Sequence, residues 1–221
     1  MELALPQWLC FDLDGTLVDS VPDITFSVNE MLEQLQLNIV DEAVARTWIG
    51  NGAAKLIERA LTHVLADMPS GELLEKAKAL FFIAYEKNIA VKTVVYPDCI
   101  EVLEHFVNLG IPLACVTNKP RKFTPPLLEK LSMDSYFKAV VCGDDLSTQK
   151  PEPGMLLEAV RQLGGEPHAG YMIGDSETDI ATANSAGTGA IYVSYGYNRG
   201  VSVENYQPIC VSGLKEIPQL F

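Results

Sequence analysis

The chain lacks several features that would place it in other classes. No apolar run approaches the roughly 20 residues a membrane-spanning helix needs, so no membrane partner is expected. Basic residues are scarce: 16 Lys and Arg stand against 29 Asp and Glu, a formal net charge of -13. Nucleic acids and anionic membrane surfaces both demand basic patches, which this balance argues against. The five cysteines, Cys10, Cys99, Cys115, Cys142 and Cys210, are odd in number and show no paired metal spacing. With Cys10, Cys115 and Cys142 in apolar runs, they read as buried, reduced thiols. The three histidines, His63, His105 and His168, have no ligand-like spacing and read as surface or helix positions. The N-terminus lacks the basic, apolar and small-residue order of a signal peptide, so a cytoplasmic location is expected.

What is present is a globular composition, 48% hydrophobic and 20% charged over 221 residues, enough for one large domain or a domain with an insert. Five short apolar runs, "WLCF", "PLACV", "AVVC", "GYMI" and "AIYV", read as central strands of a parallel sheet covered on both faces. Helical patterns alternate with the later ones. "DCIEVLEHFVNLG" carries Ile100, Leu103, Phe106 and Val107 on one face and stops at Gly110. Alternating strand and helix predicts an α/β fold, a doubly wound, mainly parallel sheet with a Rossmann-like core.

The interval 21–95 breaks this rhythm with consecutive helical patterns and no strand between them. Leu56, Ile57, Ala60, Leu61 and Val64 recur at helical spacing, as do Leu73, Leu74, Ala77, Leu80, Phe81 and Ala84. The expected organisation is a core of 1–20 and 96–221 with a helical insert at 21–95. A helical layer lying on the sheet is the plainer alternative.

Four strands end in polar residues, at the edge where open α/β sheets bind ligands. They supply Asp12 and Asp14, then Thr117 and Asn118, then Lys150 from the following loop, then Asp175 and Asp179. Each short motif alone has an ordinary turn or cap explanation. Their shared edge and order do not. "GNGAAK" follows no strand and lacks the K-[ST] ending of a phosphate loop, so it is rejected as a nucleotide site.

Strand alternation would point Asp12 and Asp14 to one side, where two carboxylates ~4 Å apart repel by about 4 kcal/mol at an effective dielectric of ~20. A hard cation and Lys150 would reverse that balance, and Asp12, Asp14 and Asp175 can converge on Mg²⁺. A carboxylate so held can attack phosphorus. Asp12 is the candidate nucleophile and Asp14 the candidate acid and base. Thr117 would hold phosphoryl oxygens and Lys150 would neutralise their charge.

Together, "DLDGTLVDS", "VTNK", "KPEP" and "GDSETDI" resemble, in order, the four motifs of the haloacid dehalogenase superfamily, and 21–95 looks like its helical cap. "WIGNGA", "TNKP", "GDD" and "YGYNRG" are similar to the bacterial branch that hydrolyses 2-phosphoglycolate to glycolate and phosphate with Mg²⁺. The resemblance implies a small phosphorylated metabolite as substrate. It also implies that Asp14 meets the metal through its backbone carbonyl, Asp175 is the remaining protein ligand, and Asp179 steadies the metal shell and Lys150. Glu152 sits where such enzymes often carry another polar residue. In the insert, Asn51 between Gly50 and Gly52 is a candidate substrate-binding group, and Lys119, beside Asn118, and Arg59 are candidate cationic partners. A phosphosugar mutase or a broad small-phosphomonoester phosphatase of the same superfamily is the alternative. A receiver domain would carry its aspartate on a later strand, and a dehalogenase has no need of Asp14.

Overall fold

In the computed structural model, which describes residues 3–198 and 200–221, the chain opens with strand β1 (Trp8–Phe11) and the two-residue β2 (Val18–Asp19). Four helices follow: α1 (Val21–Gln34), α2 (Glu42–Arg46), α3 (Gly52–Leu65) and α4 (Gly71–Asn88). Then come β3 (Val94–Val95), α5 (Cys99–Asn108), β4 (Leu113–Thr117), α6 (Thr124–Lys130) and β5 (Phe137–Cys142). The chain ends through α7 (Gly154–Leu163), β6 (Gly170–Gly174), α8 (Glu177–Ala186), β7 (Gly189–Val193) and β8 (Ile209–Val211).

Six strands form one sheet in the order β5-β4-β1-β6-β7-β8, with every neighbouring pair parallel. The chain leaves β1 towards β4 and β5, then returns to lay β6 on the other side of β1. This reversal opens a crevice at the C-terminal ends of β4, β1 and β6. All four residues of β1 are buried because helices cover both faces. Leu9 and Phe11 join one apolar cluster with Cys99, Leu103 and Phe106 of α5, while Trp8 and Cys10 join another with Met155, Leu156 and Ala159 of α7.

One edge strand adds to the five central runs, and two expectations need correction. The sheet has a sixth strand, β8, a three-residue edge element paired only with β7. Its Cys210 is exposed, whereas the other four cysteines are buried; all five are free thiols. On α5 the buried stripe is Cys99, Val102, Leu103 and Phe106, and Val107 is 42% exposed. The helix begins at Cys99, so the i, i+3, i+4, i+7 stripe starts there rather than at Ile100.

In the interval between β2 and β3, α1 packs against α2, α3 and α4, and α3 against α4. β2 and β3 pair antiparallel, Val18 opposite Val95, and close the base of this segment. Asp23 fastens it. Its buried carboxylate accepts from the N–H groups of Val91 at 3.0 Å and of Lys92 and Thr93 at 2.8 Å, and from the Thr93 hydroxyl at 2.6 Å. Three main-chain donors that no strand would satisfy are thereby paired. Among the described residues no helix is long and apolar enough to cross a membrane.

Candidate active site

β1 carries the chain to Asp12, whose N–H still donates to Ile173 of β6 at 2.9 Å. Beyond it the chain leaves the sheet in a turn, with the Leu13 carbonyl accepting from the N–H groups of Thr16, Leu17 and Val18. Strand alternation therefore does not set the direction of Asp14; the turn does. The turn requires Gly15, which sits at φ +97°, and a Cβ there would fall 2.5 Å from Oδ2 of Asp175.

Asp12 is buried, and its Oδ1 accepts from the Lys150 ammonium at 2.8 Å. Among the described residues its Oδ2 accepts no hydrogen bond. Lys150, also buried, gives its other two protons to Oδ1 of Asp179 at 2.6 Å and to the Val116 carbonyl at 2.8 Å. Asp179 commits its second oxygen to the N–H and hydroxyl of Ser176, closing a capping box at the start of α8. The Asp175 carboxylate is held by the Thr16 hydroxyl at 2.8 Å and the Tyr197 N–H at 2.7 Å.

Oxygens of Asp12, Asp175 and Asp179 all lie within 4.8 Å of one another. Burial pushes the Asp12 carboxyl up to about 7; Lys150 opposes the rise and Asp179 adds to it. Asp175 is raised well above the usual carboxylate range by burial and by the charges of Asp179 and Asp12. Three buried carboxylates against one ammonium leave a local excess of negative charge. An all-oxygen cluster with that deficit fits a hard divalent cation. The carboxylate of Asp14 is not part of it.

Asp14 turns instead to Lys119, whose ammonium lies 3.0 and 3.1 Å from its two oxygens, and it also accepts from the Ser20 hydroxyl. Asn118 acts as a clamp. Its amide group donates to the carbonyls of Gly50 at 3.1 Å and Lys150 at 3.0 Å, and its Oδ1 accepts from the Lys150 N–H at 3.0 Å. Thr117 accepts from the Lys119 N–H at 3.2 Å, which leaves its hydroxyl proton to donate elsewhere.

A pocket opens over these groups. Asp12, Asp14, Thr117, Asn118 and Lys119 line its floor, while Ile24, Ile49, Leu56, Phe81 and Tyr85 line its wall from the helical interval. Gly50 and Gly52 reach it, but Asn51 does not line it. The Asn51 side chain accepts from Arg59 at 2.9 Å and donates to the Thr178 hydroxyl at 3.4 Å, so neighbouring side chains occupy it. Arg59 also donates to the Trp48 carbonyl at 2.7 Å and is not a lining group. Glu152 is exposed on the loop after Lys150.

Thr16, Ser20, Tyr85 and Tyr197 contribute without having been singled out in the sequence. Thr16 lies inside "DLDGTLVDS" and Tyr197 inside "YGYNRG". Short hydroxyl-bearing residues beside a strand-tip carboxylate were the available signal for Thr16 and Ser20. Tyr85 carried none, since an aromatic on an amphipathic helix reads as core.

The fold and this arrangement of strand-tip carboxylates, threonine and lysine define a hydrolase of the haloacid dehalogenase type. The haloacid dehalogenase-like hydrolase family matches residues 9–193, and the chain belongs to that family. A phosphoglycolate phosphatase of Nitrosococcus oceani is 41% identical over 219 residues, covering 99% of this chain and 97% of its own. Phosphoglycolate phosphatase 1 of Pseudomonas aeruginosa is 40% identical over 208 residues, covering 94% of this chain and 76% of its own. A crystal structure described as a predicted phosphoglycolate phosphatase from Haemophilus somnus superposes with a TM-score of 0.91 at 32% identity, covering 97% of each chain.

Proposed function

We propose that this protein is a phosphatase that hydrolyses 2-phosphoglycolate to glycolate and phosphate through a phosphoaspartate at position 12. The observation that carries the reading is the Asp12 carboxylate, held on one oxygen by Lys150 and uncommitted on the other, at the floor of a pocket. Identities of 41% and 40% to two phosphoglycolate phosphatases, over 99% and 94% of this chain, support the choice of substrate.

Oδ2 of Asp12 attacks phosphorus, and the bond to the ester oxygen breaks as the new one forms. Asp14 gives a proton to the departing glycolate oxygen, then takes one from the water that attacks the phosphoaspartate and restores Asp12. The Thr117 hydroxyl donates to a phosphoryl oxygen. Lys150 keeps Asp12 oriented and offsets charge developing around it. Asp12, Asp175 and the Asp14 carbonyl would hold Mg²⁺, with Asp179 behind them. That ion, when bound, polarises phosphoryl oxygens as a Lewis acid.

Residues 21–95 form the cap in this reading, since they supply the pocket wall over a floor built by the core. Closing it excludes water from the reacting groups. Phosphate release from a panel of phosphomonoesters, with and without Mg²⁺, tests the proposal. Metal-dependent release that is fastest on 2-phosphoglycolate and needs no bisphosphate activator is the expected result. Conversion of a sugar phosphate to its isomer without free phosphate would replace it with a mutase.

A further inference from the structure

The reacting groups recognise a phosphoryl group, which every phosphomonoester carries, so discrimination needs a second contact. Two buried groups of the pocket have capacity left over. Among the described residues Lys119 is the only cation that lines it, and its ammonium spends two of three protons on Asp14. The ammonium also sits over the Tyr85 ring, 4.7 Å from the centroid. Tyr85 is 1% exposed and lines the same pocket, yet among the described residues its hydroxyl has no hydrogen-bond partner. A buried hydroxyl left unpaired costs free energy that a ligand would recover.

We infer that Lys119 and the Tyr85 hydroxyl together receive the carboxylate of the substrate and thereby set its specificity. The inference rests on the phosphatase reading above and names the group of the substrate that each residue meets. One proton remains on Lys119 and one on Tyr85, which matches the two oxygens of a carboxylate. A second phosphate, bulkier and more highly charged, would face the Asp14 carboxylate with only those two donors. Burial pushes the Tyr85 hydroxyl up to about 12, with Lys119 opposing, so it remains a donor at neutral pH. Burial would depress the Lys119 ammonium, but the Asp14 carboxylate holds it above its ordinary value and it stays charged. The apolar wall of Ile24, Leu56, Phe81 and Phe123 provides no competing polar group. Arg59, the other cationic candidate, is engaged by Trp48 and Asn51 outside this lining.

The test uses two inert ligands, so that binding is read whether or not the protein turns over. 3-Phosphonopropionate places a carboxylate where phosphoglycolate has one, and propylphosphonate lacks it. Their Kd values are measured by calorimetry in Mg²⁺ buffer for the wild type, Tyr85→Phe and Lys119→Met. The wild type is expected to favour the carboxylate ligand, and Tyr85→Phe to reduce that preference by about 10-fold or more, as loss of a charged hydrogen bond would. Lys119→Met should reduce it further. Because Tyr85→Phe removes an unpartnered hydroxyl, its Tm should equal or exceed that of the wild type. A preference unchanged in both variants, or absent from the wild type, overturns the inference. Failure to release phosphate from any ester would instead overturn the phosphatase reading, and the binding ratio would still decide this one.

Discussion

The Lys150 ammonium lies 2.8 Å from Oδ1 of Asp12, although 138 residues separate the two in the chain. The same nitrogen lies 2.6 Å from Asp179. One buried cation therefore stands between two buried carboxylates, with Asp175 beside them. In the proposed reaction this ion cluster ties the chemistry to the stability of the crevice.

Lys150→Met should separate those roles by pH. At about pH 8 the variant buries carboxylates with no compensating ammonium, a loss of about 3–5 kcal/mol for a broken buried pair. At about pH 5 protonation of Asp12 relieves part of that penalty. Urea unfolding of metal-free protein at the two pH values checks this; an equal loss at both would contradict it.

The raised carboxyls also set a pH dependence for the intact metal-free chain. The folded state holds the Asp12 proton to about 7, well above the unfolded carboxylate value, and Asp175 shifts in the same direction. Stability from these groups is complete below the unfolded pKa and is lost as pH rises through about 7. Tm in chelator should therefore fall between about pH 5.5 and 8, and Mg²⁺ should flatten the curve. A chelated protein whose Tm climbs over that window would disagree.

Asp12→Asn should abolish turnover, by at least ~10⁴-fold, because the amide is no nucleophile. The fold should persist, since Lys150 retains Asp179 and the Val116 carbonyl. Phosphate release and circular dichroism on one preparation check both statements.

Asp23→Ala should destabilise the base of the helical segment. It strands the N–H groups of Val91, Lys92 and Thr93 together with the Thr93 hydroxyl, at ~1–3 kcal/mol for each donor that stays buried and unpaired. Chemical unfolding reads the loss, and a change under about 1 kcal/mol would mean that water replaces the carboxylate.

The central strands are legible in the sequence because a strand buried on both faces has to be a continuous apolar run, as "WLCF" is. β8 is not, since in this three-residue edge element Ile209 is half-buried, Cys210 exposed and Val211 alone buried, which makes no such run. Asp12, Lys150 and Asp175 are legible as polar residues following those runs, and the crevice at the β1 reversal brings them together. The direction of Asp14 is not, because a turn rather than strand alternation decides it. Nor is the orientation of Asn51, which depends on Arg59 and Thr178, 8 and 127 residues away. Asp23 looks like an ordinary first-turn acid until its partners, 68 to 70 residues later, fold back onto it. Local pattern reaches main-chain periodicity and strand tips; long-range side-chain pairing lies beyond it.

The central claim is covalent transfer of the phosphoryl group to Asp12. The stereochemical course at phosphorus tests it most directly, using 2-phosphoglycolate made chiral with oxygen isotopes and hydrolysed in isotopically labelled water. Attack by Asp12 followed by attack of water gives two in-line displacements, so the account predicts net retention. Net inversion would mean that water attacks the ester directly, and would contradict it.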